Sequence, residues 1–390
     1  MAKRKIGVFT GSRAEYGLLY PVLQAISAND ALDLRVIASG AHMDEEGATF
    51  DIAAHVPIVR TDETAASTPR AIGAGILGVT DALEQIAPDV LVVYGDRFEA
   101  FAAMIASTQM SIPTAHIEGG DLTQGGTLDD VVRHAMTKLA HIHLATNAAA
   151  ARRVALMGEE EWRIHDVGFP TIDLIRAGDF TPPEEVAERL GLDLSRPVVV
   201  FTQHPITTSP AEAEGQIEAS LEALERARTE LDAQIVLTYP NGDLGSAAII
   251  DALERWAAER PDVVLRQSLG RRLYHGLLHV CGRVTRGACV GNSSSGVKET
   301  PAFACPTVDV GPRQSGRLRG ANVAHVPHAA EAIFAALRTG LTDEDYRRTI
   351  AEAPNPYGSG RTGPMVAEIL AKLDLSSPAL VAKQTVLPGE

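Results

Sequence analysis

The sequence predicts an α/β protein made of two domains, each a doubly wound parallel sheet covered by helices on both faces. Short β-branched runs alternate with longer helix-like segments, which is typical of such sheets. This alternation occurs twice, and the 390 residues exceed what one hydrophobic core usually accommodates. Two Rossmann-like domains with a cleft between them are therefore expected.

The first domain is predicted over residues 1–175. Its predicted strands are Ile6–Thr10, Leu34–Ala38, Val90–Tyr94, Ile112–Ile117, Ile142–Ala145 and Ile164–Val167. Its predicted helices include Tyr16–Ser27, Pro69–Ile86, Phe98–Ser107, Asp129–Ala140 and Ala148–Met157.

The second domain is predicted over residues 176–375, after a linker in which Thr181-Pro182-Pro183 interrupts the pattern. Its predicted strands are Val198–Thr202, Gln234–Thr238, Val263–Gln267, Arg283–Val290 and Thr307–Val310. Its predicted helices are Glu184–Leu190, Ala211–Leu231, Ser246–Glu259 and Ser295–Phe303, with a last helix around Gly363–Leu373 as a candidate to pack back on the first domain. Residues 376–390 are expected to form a weakly ordered tail.

Composition and charge exclude several function classes. The chain has 35 basic and 50 acidic residues and a formal net charge of −15, which argues against nucleic acid and anionic membranes as partners. Its three cysteines, Cys281, Cys289 and Cys305, form no closely spaced pair, so a disulfide framework is not expected. No export signal and no apolar run of membrane-spanning length are recognised. A cytoplasmic protein is expected.

A first candidate anion site follows the first predicted strand, at Thr10-Gly11-Ser12-Arg13-Ala14-Glu15-Tyr16. Small residues there expose backbone N–H groups at the start of a helix, and Arg13 supplies a guanidinium for a phosphate. The alternative is an ordinary strand-to-helix turn with a surface arginine. Because the segment is not G-x-G-x-x-G, no dinucleotide site is predicted.

A second candidate anion site is Gly291-Asn292-Ser293-Ser294-Ser295-Gly296-Val297-Lys298-Glu299. Ser293 and Ser294 offer hydroxyl and N–H donors to a diphosphate at a helix start, and Glu299 is placed to bind ribose hydroxyls. Helix capping is the alternative, although one serine suffices for it. Arg313 follows the next strand and adds positive charge on the same side, unless it belongs to a solvated basic loop.

Carboxylates follow two strands of the first domain, in Tyr94-Gly95-Asp96-Arg97-Phe98-Glu99 and His116-Ile117-Glu118-Gly119-Gly120-Asp121. The glycines let a ligand approach the backbone closely, so Asp96 and Glu118 are candidates for proton transfer at a sugar. Ion pairs of Asp96 with Arg97, or of Glu118 with Arg133, are the structural alternative. Asp129 shares a helix face with Arg133, where capping and a surface pair are the alternative.

Histidines raise the question of a metal site, which the spacing does not support. His141 and His143 share one strand face, but no third ligand is close in sequence, so core histidines are favoured and no metal is predicted. His204, in Phe201-Thr202-Gln203-His204-Pro205, is placed to donate a hydrogen bond or a proton to a leaving group. A lone histidine is more often structural.

Together these segments resemble the UDP-N-acetylglucosamine 2-epimerase family over roughly residues 5–375. The motifs are Gly-Ser-Arg-Ala-Glu-Tyr at 11–16, Gly-Asp-Arg-Phe-Glu at 95–99, His-Ile-Glu-Gly-Gly-Asp at 116–121, Asp-Asp-Val-Val-Arg-His at 129–134, Gln-His-Pro at 203–205 and Gly-Asn-Ser-Ser at 291–294. The chain looks most like the hydrolysing branch of the sialic and legionaminic acid pathways, because Gly119 stands where the non-hydrolysing branch has alanine.

The resemblance implies a GT-B-like architecture, a homodimer or homotetramer, and a UDP-sugar substrate; no cofactor is predicted. It implies catalytic carboxylates at Asp96, Glu118 and Asp129, a sugar–phosphate contact from Arg97, and nucleotide contacts from Arg13, His204, Asn241, Ser293, Ser294, Glu299 and Arg313. The implied reaction removes the proton on sugar carbon 2 as UDP leaves, gives 2-acetamidoglucal, and adds water to release N-acetylmannosamine.

Two departures from the family bear on the substrate. Gly17 stands where some relatives have a serine that touches the nucleotide, and Gln124-Gly125-Gly126-Thr127 is longer than in the animal enzyme. Because the Asp121–Thr127 loop adjoins the sugar in the family, this difference leaves the substrate open: related enzymes act on UDP-N,N′-diacetylbacillosamine or on GDP-linked N-acetylglucosamine. A glycosyltransferase, a nucleotide-sugar sensor and a simple UDP-sugar hydrolase are the alternatives from other classes.

Overall fold

The computed structural model describes residues 3–39, 49–62, 64, 66–123, 128–206, 212–241 and 245–386, without the side chains of Arg13 and Ala14. The chain divides into two compact units. Unit 1 comprises Met1–Asp121, Leu128–Leu174 and Tyr357–Glu390, and unit 2 comprises Leu122–Thr127 and Ile175–Pro356. Each unit holds one parallel sheet with helices, which confirms the predicted fold class.

In the part of unit 1 that the structure describes there are seven strands. They are β1 (Arg4–Thr10), β2 (Leu32–Ser39), β3 (Ile52–Val56), β4 (Val90–Tyr94), β5 (Thr114–Ile117), β6 (Ile142–Ala145) and β7 (Ile164–Asp166). The helices are α1 (Arg13–Ala28), α2 (Ser67–Ile86), α3 (Phe98–Gln109), α4 (Leu128–Leu139), α5 (Ala148–Leu156), α6 (Thr171–Arg176, at the unit boundary) and α14 (Thr362–Lys372). The sheet order is β3-β2-β1-β4-β5-β6-β7.

The described residues of unit 2 form six strands. They are β8 (Val198–Thr202), β9 (Gln234–Thr238), β10 (Val264–Arg266), β11 (Ala288–Gly291), β12 (Thr307–Val310) and β13 (Val323–Val326). The helices are α7 (Pro183–Leu190), α8 (Ala213–Glu230), α9 (Ser246–Ala258), α10 (Gly270–His279), α11 (Ser295–Lys298), α12 (Ala330–Thr342) and α13 (Glu344–Glu352). The sheet order is β10-β9-β8-β11-β12-β13.

The two sheet orders fix where each unit can bind a ligand. The strand order reverses between β1 and β4 in unit 1, and between β8 and β11 in unit 2. Ligands of open α/β sheets bind beyond the carboxyl ends of strands at such a reversal. The loops after these four strands are therefore the first places to look for function.

Both sheets are buried on their two faces, which explains the continuous apolar runs in the sequence. All five residues of β4 and of β8 are buried. In unit 1 the side chains of Phe9, Leu83 and Met104 belong to one apolar cluster. In unit 2 Phe201 and Phe334 belong to another. No helix in the described part of the chain is long and apolar enough to cross a membrane.

The predicted strand Arg283–Val290 is wrong in its first half. Arg283 and Val284 belong to a π-helical turn, Val280–Val284, that continues α10, and β11 begins only at Ala288. Gly287 allows the change of direction, since a Cβ there would lie 2.3 Å from the carbonyl oxygen of Val198. The Arg347 guanidinium donates to the carbonyls of Thr285 and Gly287 at 3.0 and 3.1 Å, so tertiary contacts hold this turn.

The predicted helix Ser295–Phe303 is also wrong in extent. It is a four-residue α-helix, α11, followed by a 3₁₀ turn over Thr300–Phe303. Pro301 explains the break, because proline lacks an N–H and disfavours α-helical geometry at the residue before it. So short a helix has little macrodipole, and any anion binding here depends on individual donors.

Candidate functional site

Two carboxylates of unit 1 stand at the ends of neighbouring strands. Asp96 follows β4 after Gly95, whose φ is +72°, and Glu118 follows β5 with a φ of +73°. A non-glycine residue in the left-handed region is uncommon and strained, and such residues cluster at functional sites. The side chain of Glu118 is 5% exposed. The structure thus places a strained, buried carboxylate at the position that the sequence singled out.

Arg133 links the loops after β4 and β5. It projects from α4, is 2% exposed, and forms an ion pair with the Asp96 carboxylate. The same guanidinium donates to the carbonyl oxygen of Asp121 at 3.0 Å and to Oδ1 of Asp130 at 3.3 Å. Arg133 therefore fixes Asp96 in place, a pairing that the sequence alternatives did not include.

Arg97 presents a second guanidinium next to these acids. It donates to the two carboxylate oxygens of Glu99 at 2.7 and 3.1 Å and lies 3.7 Å from Glu15. Burial lowers its pKa, but Glu99, Glu15 and Asp129 together raise the pKa of Arg97 above its ordinary value. The Arg97 side chain is 49% exposed, so it is held by acids while it remains accessible to a ligand.

Glu15 is a residue of this cluster that sequence reasoning did not single out. Its carboxylate accepts a hydrogen bond from the Gly11 N–H at 2.7 Å, and its own N–H donates to Ser12 Oγ at 3.2 Å. Burial raises the pKa of Glu15 to about 8. The signal was present, since Ser12-x-x-Glu15 is a capping-box pattern. The Arg13 side chain lies outside the described residues.

Three buried histidines of unit 1 make core hydrogen bonds. The Nε2 atom of His116 lies 2.7 Å from the carbonyl oxygen of Gly95, Nδ1 of His141 accepts from the Thr114 N–H at 3.0 Å, and Nε2 of His143 lies 2.9 Å from Glu159. Burial lowers the pKa of His116 and of His141 to about 4. Among the described residues, no group of three His, Cys, Asp or Glu side chains is placed to hold a metal ion.

In unit 2, Asn292 joins the loops after β8 and β11. Its fully buried amide accepts from the His204 N–H at 2.7 Å and donates to the His204 carbonyl at 2.9 Å. Its own carbonyl oxygen accepts from Arg313 at 3.1 Å and from Gln314 at 2.8 Å. One asparagine therefore holds together three strand-end loops that carry predicted site residues.

His204 contacts Asn241 through one ring nitrogen. Its Nδ1 lies 3.0 Å from the Asn241 N–H and 3.2 Å from Asn241 Oδ1; the first contact suits the tautomer with its proton on Nε2, and the second suits the tautomer with its proton on Nδ1. Burial, with the positive charge of Arg313, lowers the pKa of His204 to about 3. At neutral pH the ring is therefore neutral and offers an N–H donor, whereas proton donation would need a ligand that raises this pKa.

The segment Gly291–Glu299, here called the serine segment, contacts α10 through two side-chain hydrogen bonds. Ser295 Oγ lies 2.8 Å from the Tyr274 hydroxyl and 3.1 Å from Ser293 Oγ. Oε2 of Glu299 lies 3.2 Å from Nε2 of the buried His275. Ser294 has helical backbone angles and precedes α11 without a side-chain capping bond among the described residues, which disfavours the capping alternative for that residue.

The Asp121–Thr127 loop, at which the sequence leaves the substrate open, is held at its start by Arg317. This guanidinium donates to the Leu122 carbonyl at 2.9 Å and to Thr123 Oγ1 at 3.2 Å. Residues 124–127 lie outside the described residues. Arg313 and Arg317 both lie in the loop after β12. Through these two arginines the loop contacts both Asn292 and residues 122–123.

Comparison with known proteins identifies the family. The family model described as UDP-N-acetylglucosamine 2-epimerase matches residues 24–371. The chain belongs to this family. It is thus an epimerase-family protein in which the acids and hydrogen-bond donors described above follow the strands of two parallel sheets.

Similar epimerases are named for two of the three substrates that the sequence raised. The UDP-N,N′-diacetylbacillosamine 2-epimerase (hydrolyzing) of Legionella pneumophila is 31% identical, covering 97% of this chain and 98% of that protein. The UDP-N-acetylglucosamine 2-epimerase of Neisseria meningitidis serogroup B is 31% identical, covering 92% of each chain. A crystal structure of the N. meningitidis UDP-GlcNAc 2-epimerase bound to UDP-GlcNAc matches the fold with a TM-score of 0.79 at 19% identity, covering 95% of this chain and all of that one.

Proposed function

We propose that this protein is a hydrolysing 2-epimerase that converts a UDP-linked N-acetylhexosamine and water to UDP and the free 2-epimer. UDP-N-acetylglucosamine, which would give N-acetylmannosamine for nonulosonic acid synthesis, is the first candidate substrate. UDP-N,N′-diacetylbacillosamine has equal support, because the similar Legionella protein is named for it. We further propose a cytoplasmic homodimer or homotetramer.

The observation that carries the proposal is the acid cluster of unit 1. Glu118 combines a left-handed backbone, a buried carboxylate and a glycine-flanked strand end. Asp96 is oriented by Arg133, and Asp129 lies close enough to affect the pKa of Arg97. A 2-epimerase must take a proton from one face of carbon 2 and return one to the other, which requires at least two proton-transferring groups. A glycosyltransferase usually needs only one base, so its reaction would not require three acids.

The donors of unit 2 suit the leaving nucleotide. Ser293, Ser294 and Arg313 supply hydroxyl and guanidinium donors. In the tautomer whose Nδ1 accepts from the Asn241 N–H, His204 supplies its Nε2–H. Departure of UDP places negative charge on a diphosphate, and donors already oriented toward that charge lower the barrier. We assign Glu299 and Asn241 to the nucleoside. Arg13 is assigned to the diphosphate and Arg97 to the sugar–phosphate junction.

The proposed reaction has two halves. A carboxylate takes the proton from carbon 2 while the bond from carbon 1 to the UDP oxygen breaks, which forms the double bond of 2-acetamidoglucal. Water then adds at carbon 1 and a proton returns to carbon 2 from the opposite face. The carbon-2 proton is weakly acidic, so stabilising the departing diphosphate supplies much of the driving force. Asp96, Glu118 and Asp129 share the proton transfers.

Product analysis in deuterium oxide tests the proposed reaction. The protein is incubated with UDP-N-acetylglucosamine, UDP-N,N′-diacetylbacillosamine and their GDP-linked analogues, and the sugars are identified by NMR. Free sugar of inverted configuration, with one deuterium at carbon 2, is expected from at least one UDP-linked substrate. Release without deuterium at carbon 2 would show a simple hydrolase, and an intact sugar nucleotide in the absence of acceptor would favour a transferase.

Substitution of the acids tests the site. Glu118→Gln and Asp96→Asn should each lower UDP release about 10²- to 10⁴-fold, the usual contribution of a positioned acid or base. Glu84→Gln, at an exposed position on α2, is the control and should retain full activity. Near wild-type UDP release by both site variants would contradict the assignment.

A further inference from the structure

Helix α10 lies directly behind the serine segment and contacts it through two adjacent side chains. Tyr274 reaches Ser295 at 2.8 Å, and the next residue, His275, reaches Glu299 at 3.2 Å. Neither Tyr274 nor His275 has a role in the reaction assigned above, and neither stands out in the sequence. Both touch residues that follow β11, where unit 2 is assigned to bind the nucleotide.

The position of α10 is fixed by close backbone packing. A Cβ on Gly276 would lie 2.3 Å from the carbonyl oxygen of Thr181 and 2.8 Å from Val186. The Thr181 N–H in turn donates to the carbonyl of Arg272 at 3.0 Å. Helix α10 is therefore a rigid support, and a side chain projecting from it has a well-defined position.

The Tyr274 contact orients a chain of hydroxyl groups. Burial raises the pKa of Tyr274 well above its ordinary value, so its hydroxyl keeps its proton. That proton has two possible acceptors, Ser295 Oγ at 2.8 Å and Cys289 Sγ at 4.0 Å, and we take the shorter contact, with Tyr274 donating to Ser295. Ser295 is then free to donate to Ser293 Oγ, 3.1 Å away. The hydroxyl proton of Ser293 is left to point away from the chain, as a donor for an anion needs.

The His275 contact orients a carboxylate. His275 is 2% exposed and Glu299 is 7% exposed. The ring Nε2–H donates to Oε2 of Glu299, so this oxygen is held on the protein side. The Glu299 carboxylate is thereby held in one orientation, and a carboxylate fixed in this way can bind the two hydroxyls of a ribose.

We propose that Tyr274 and His275 are positioning residues for the nucleotide: Tyr274 acts through Ser295 on the donor proton of Ser293, and His275 acts through Glu299 on ribose recognition. This inference rests on the proposed function of the serine segment. It assigns to α10 a role in stabilising the leaving diphosphate and in recognising the ribose of the nucleotide.

The two residues should affect different kinetic constants. The Ser293 donor matters most when charge develops on the departing diphosphate, so Tyr274→Phe should lower kcat about 3- to 10-fold with a smaller change in KM. Ribose contacts are the same before and during the reaction, so His275→Met should raise KM about tenfold with kcat nearly unchanged. His275→Gln, which can place an N–H near the same point, should recover most of the loss.

Tyr346→Phe is the matched control for the tyrosine. Tyr346 is also in unit 2 and donates to a backbone carbonyl, that of Asn322, at 2.9 Å, away from the serine segment. Its loss should leave both constants unchanged. Equal effects of Tyr274→Phe and Tyr346→Phe on kcat would overturn the role of Tyr274.

Binding of UDP and of 2′,3′-dideoxy-UDP, measured by calorimetry, tests His275 within each variant. His275→Met should weaken the binding of UDP about tenfold but change the affinity for the dideoxy analogue by no more than about twofold. Both ligands are measured on the same preparation, so a partly misfolded fraction affects both measurements equally. Equal weakening of both ligands would overturn the role of His275. If the wild type neither binds UDP nor releases it, the proposed function fails; if the wild type turns over and the variants behave like the control, only this inference fails.

Discussion

The Glu15 carboxyl shows how burial in the candidate site changes the pKa of a single residue. It is 4% exposed and lies beside Glu99, whose charge opposes its ionisation. Burial is the larger effect and raises its pKa from 4.5 to about 8, although the Gly11 N–H and Arg97 both favour the ionised form. At neutral pH the protonated form therefore predominates in the folded protein, and the Glu15 carboxyl lies close enough to Asp96 for their charges to interact.

Glu15→Gln should change the pH dependence of stability. The folded state holds the Glu15 proton up to pH about 8, whereas the unfolded chain loses it near 4.5. The stabilisation is thus complete below about pH 4.5 and is lost as pH rises toward 8, at no more than about 1.4 kcal/mol per pH unit. Urea unfolding from pH 5 to 8 should show a flatter stability curve for Glu15→Gln than for the wild type.

Glu84→Gln, on the exposed face of α2, is again the control and should follow the wild-type curve. Parallel curves for Glu15→Gln and the wild type across this interval would show that the Glu15 carboxyl is ionised in the folded protein.

Prediction at the residue scale succeeded for positions and failed for partners. Asp96 and Glu118 were placed at strand ends, because carboxyl ends of parallel strands meet at one edge. The Arg133–Asp96 pair joins residues 37 positions apart, and no local pattern specifies it. The roles of Tyr274 and His275 were missed for the same reason, since each depends on how α10 packs.

Among the helices, α14 shows how a single carboxylate can define where an element begins. Asp173 accepts hydrogen bonds from the N–H groups of Thr362 and Gly363 at 2.9 and 2.8 Å. These are the first two residues of the helix, whose N–H groups have no partner within it. Gly363 in turn lies against α1, where a Cβ would come within 2.3 Å of the Pro21 carbonyl.

Asp173→Ala should therefore destabilise unit 1 by about 1–2 kcal/mol, the usual cost of losing an N-terminal cap. Urea unfolding at pH 7 measures the change. Asp374→Ala removes a similar contact, to the Ser376 N–H at 3.0 Å, from an exposed turn, and should cost less than about 0.5 kcal/mol. A similar loss for the two variants would mean that Asp173 does not anchor α14.

Prediction at the element scale depended on burial. Strands β4 and β8 were predicted with correct ends because each is a continuous run of buried apolar residues. The half-buried strands β3 and β13, with sequences IAAHV and VAHV, were not predicted. Alanine and histidine carry little strand preference, so these two are defined by their sheet neighbours.

At the scale of the whole molecule, the division into units does not follow the sequence order. Residues 357–390 return to unit 1 after unit 2 is complete. Residue patterns located the last helix and made it a candidate to pack back on the first domain, but they do not give the contacts that hold it there. The contact of Arg4 with the Leu373 carbonyl at 2.7 Å, for example, joins residues 369 positions apart.

The C-terminal segment is held on unit 1 by a buried carboxylate. Glu159 is fully buried and contacts Lys138 at 2.5 Å, Lys383 at 2.6 Å and His143 at 2.9 Å. Burial opposes its ionisation, but hydrogen bonds from His143, Lys138 and Lys383 lower the pKa of Glu159 to about 2. The weakly ordered tail expected over residues 376–390 stays a prediction, and its serines and prolines give no sign of the contact between Lys383 and Glu159.

Lys383→Met should destabilise unit 1 by about 2 kcal/mol at pH 7, because a buried carboxylate loses one of its cationic partners while Lys138 and His143 remain. Since the pKa of Glu159 is lowered in the folded state, the stabilisation is present above about pH 4.5 and is lost as pH falls toward 2. The difference between variant and wild type, measured by urea unfolding, should shrink over that interval. Lys372→Met, which removes an exposed pair with Glu368 at 3.4 Å, should change stability by less than about 0.5 kcal/mol. If both lysine variants lost the same stability at pH 7, the pairing of Lys383 with Glu159 would not be what holds the C-terminal segment on unit 1.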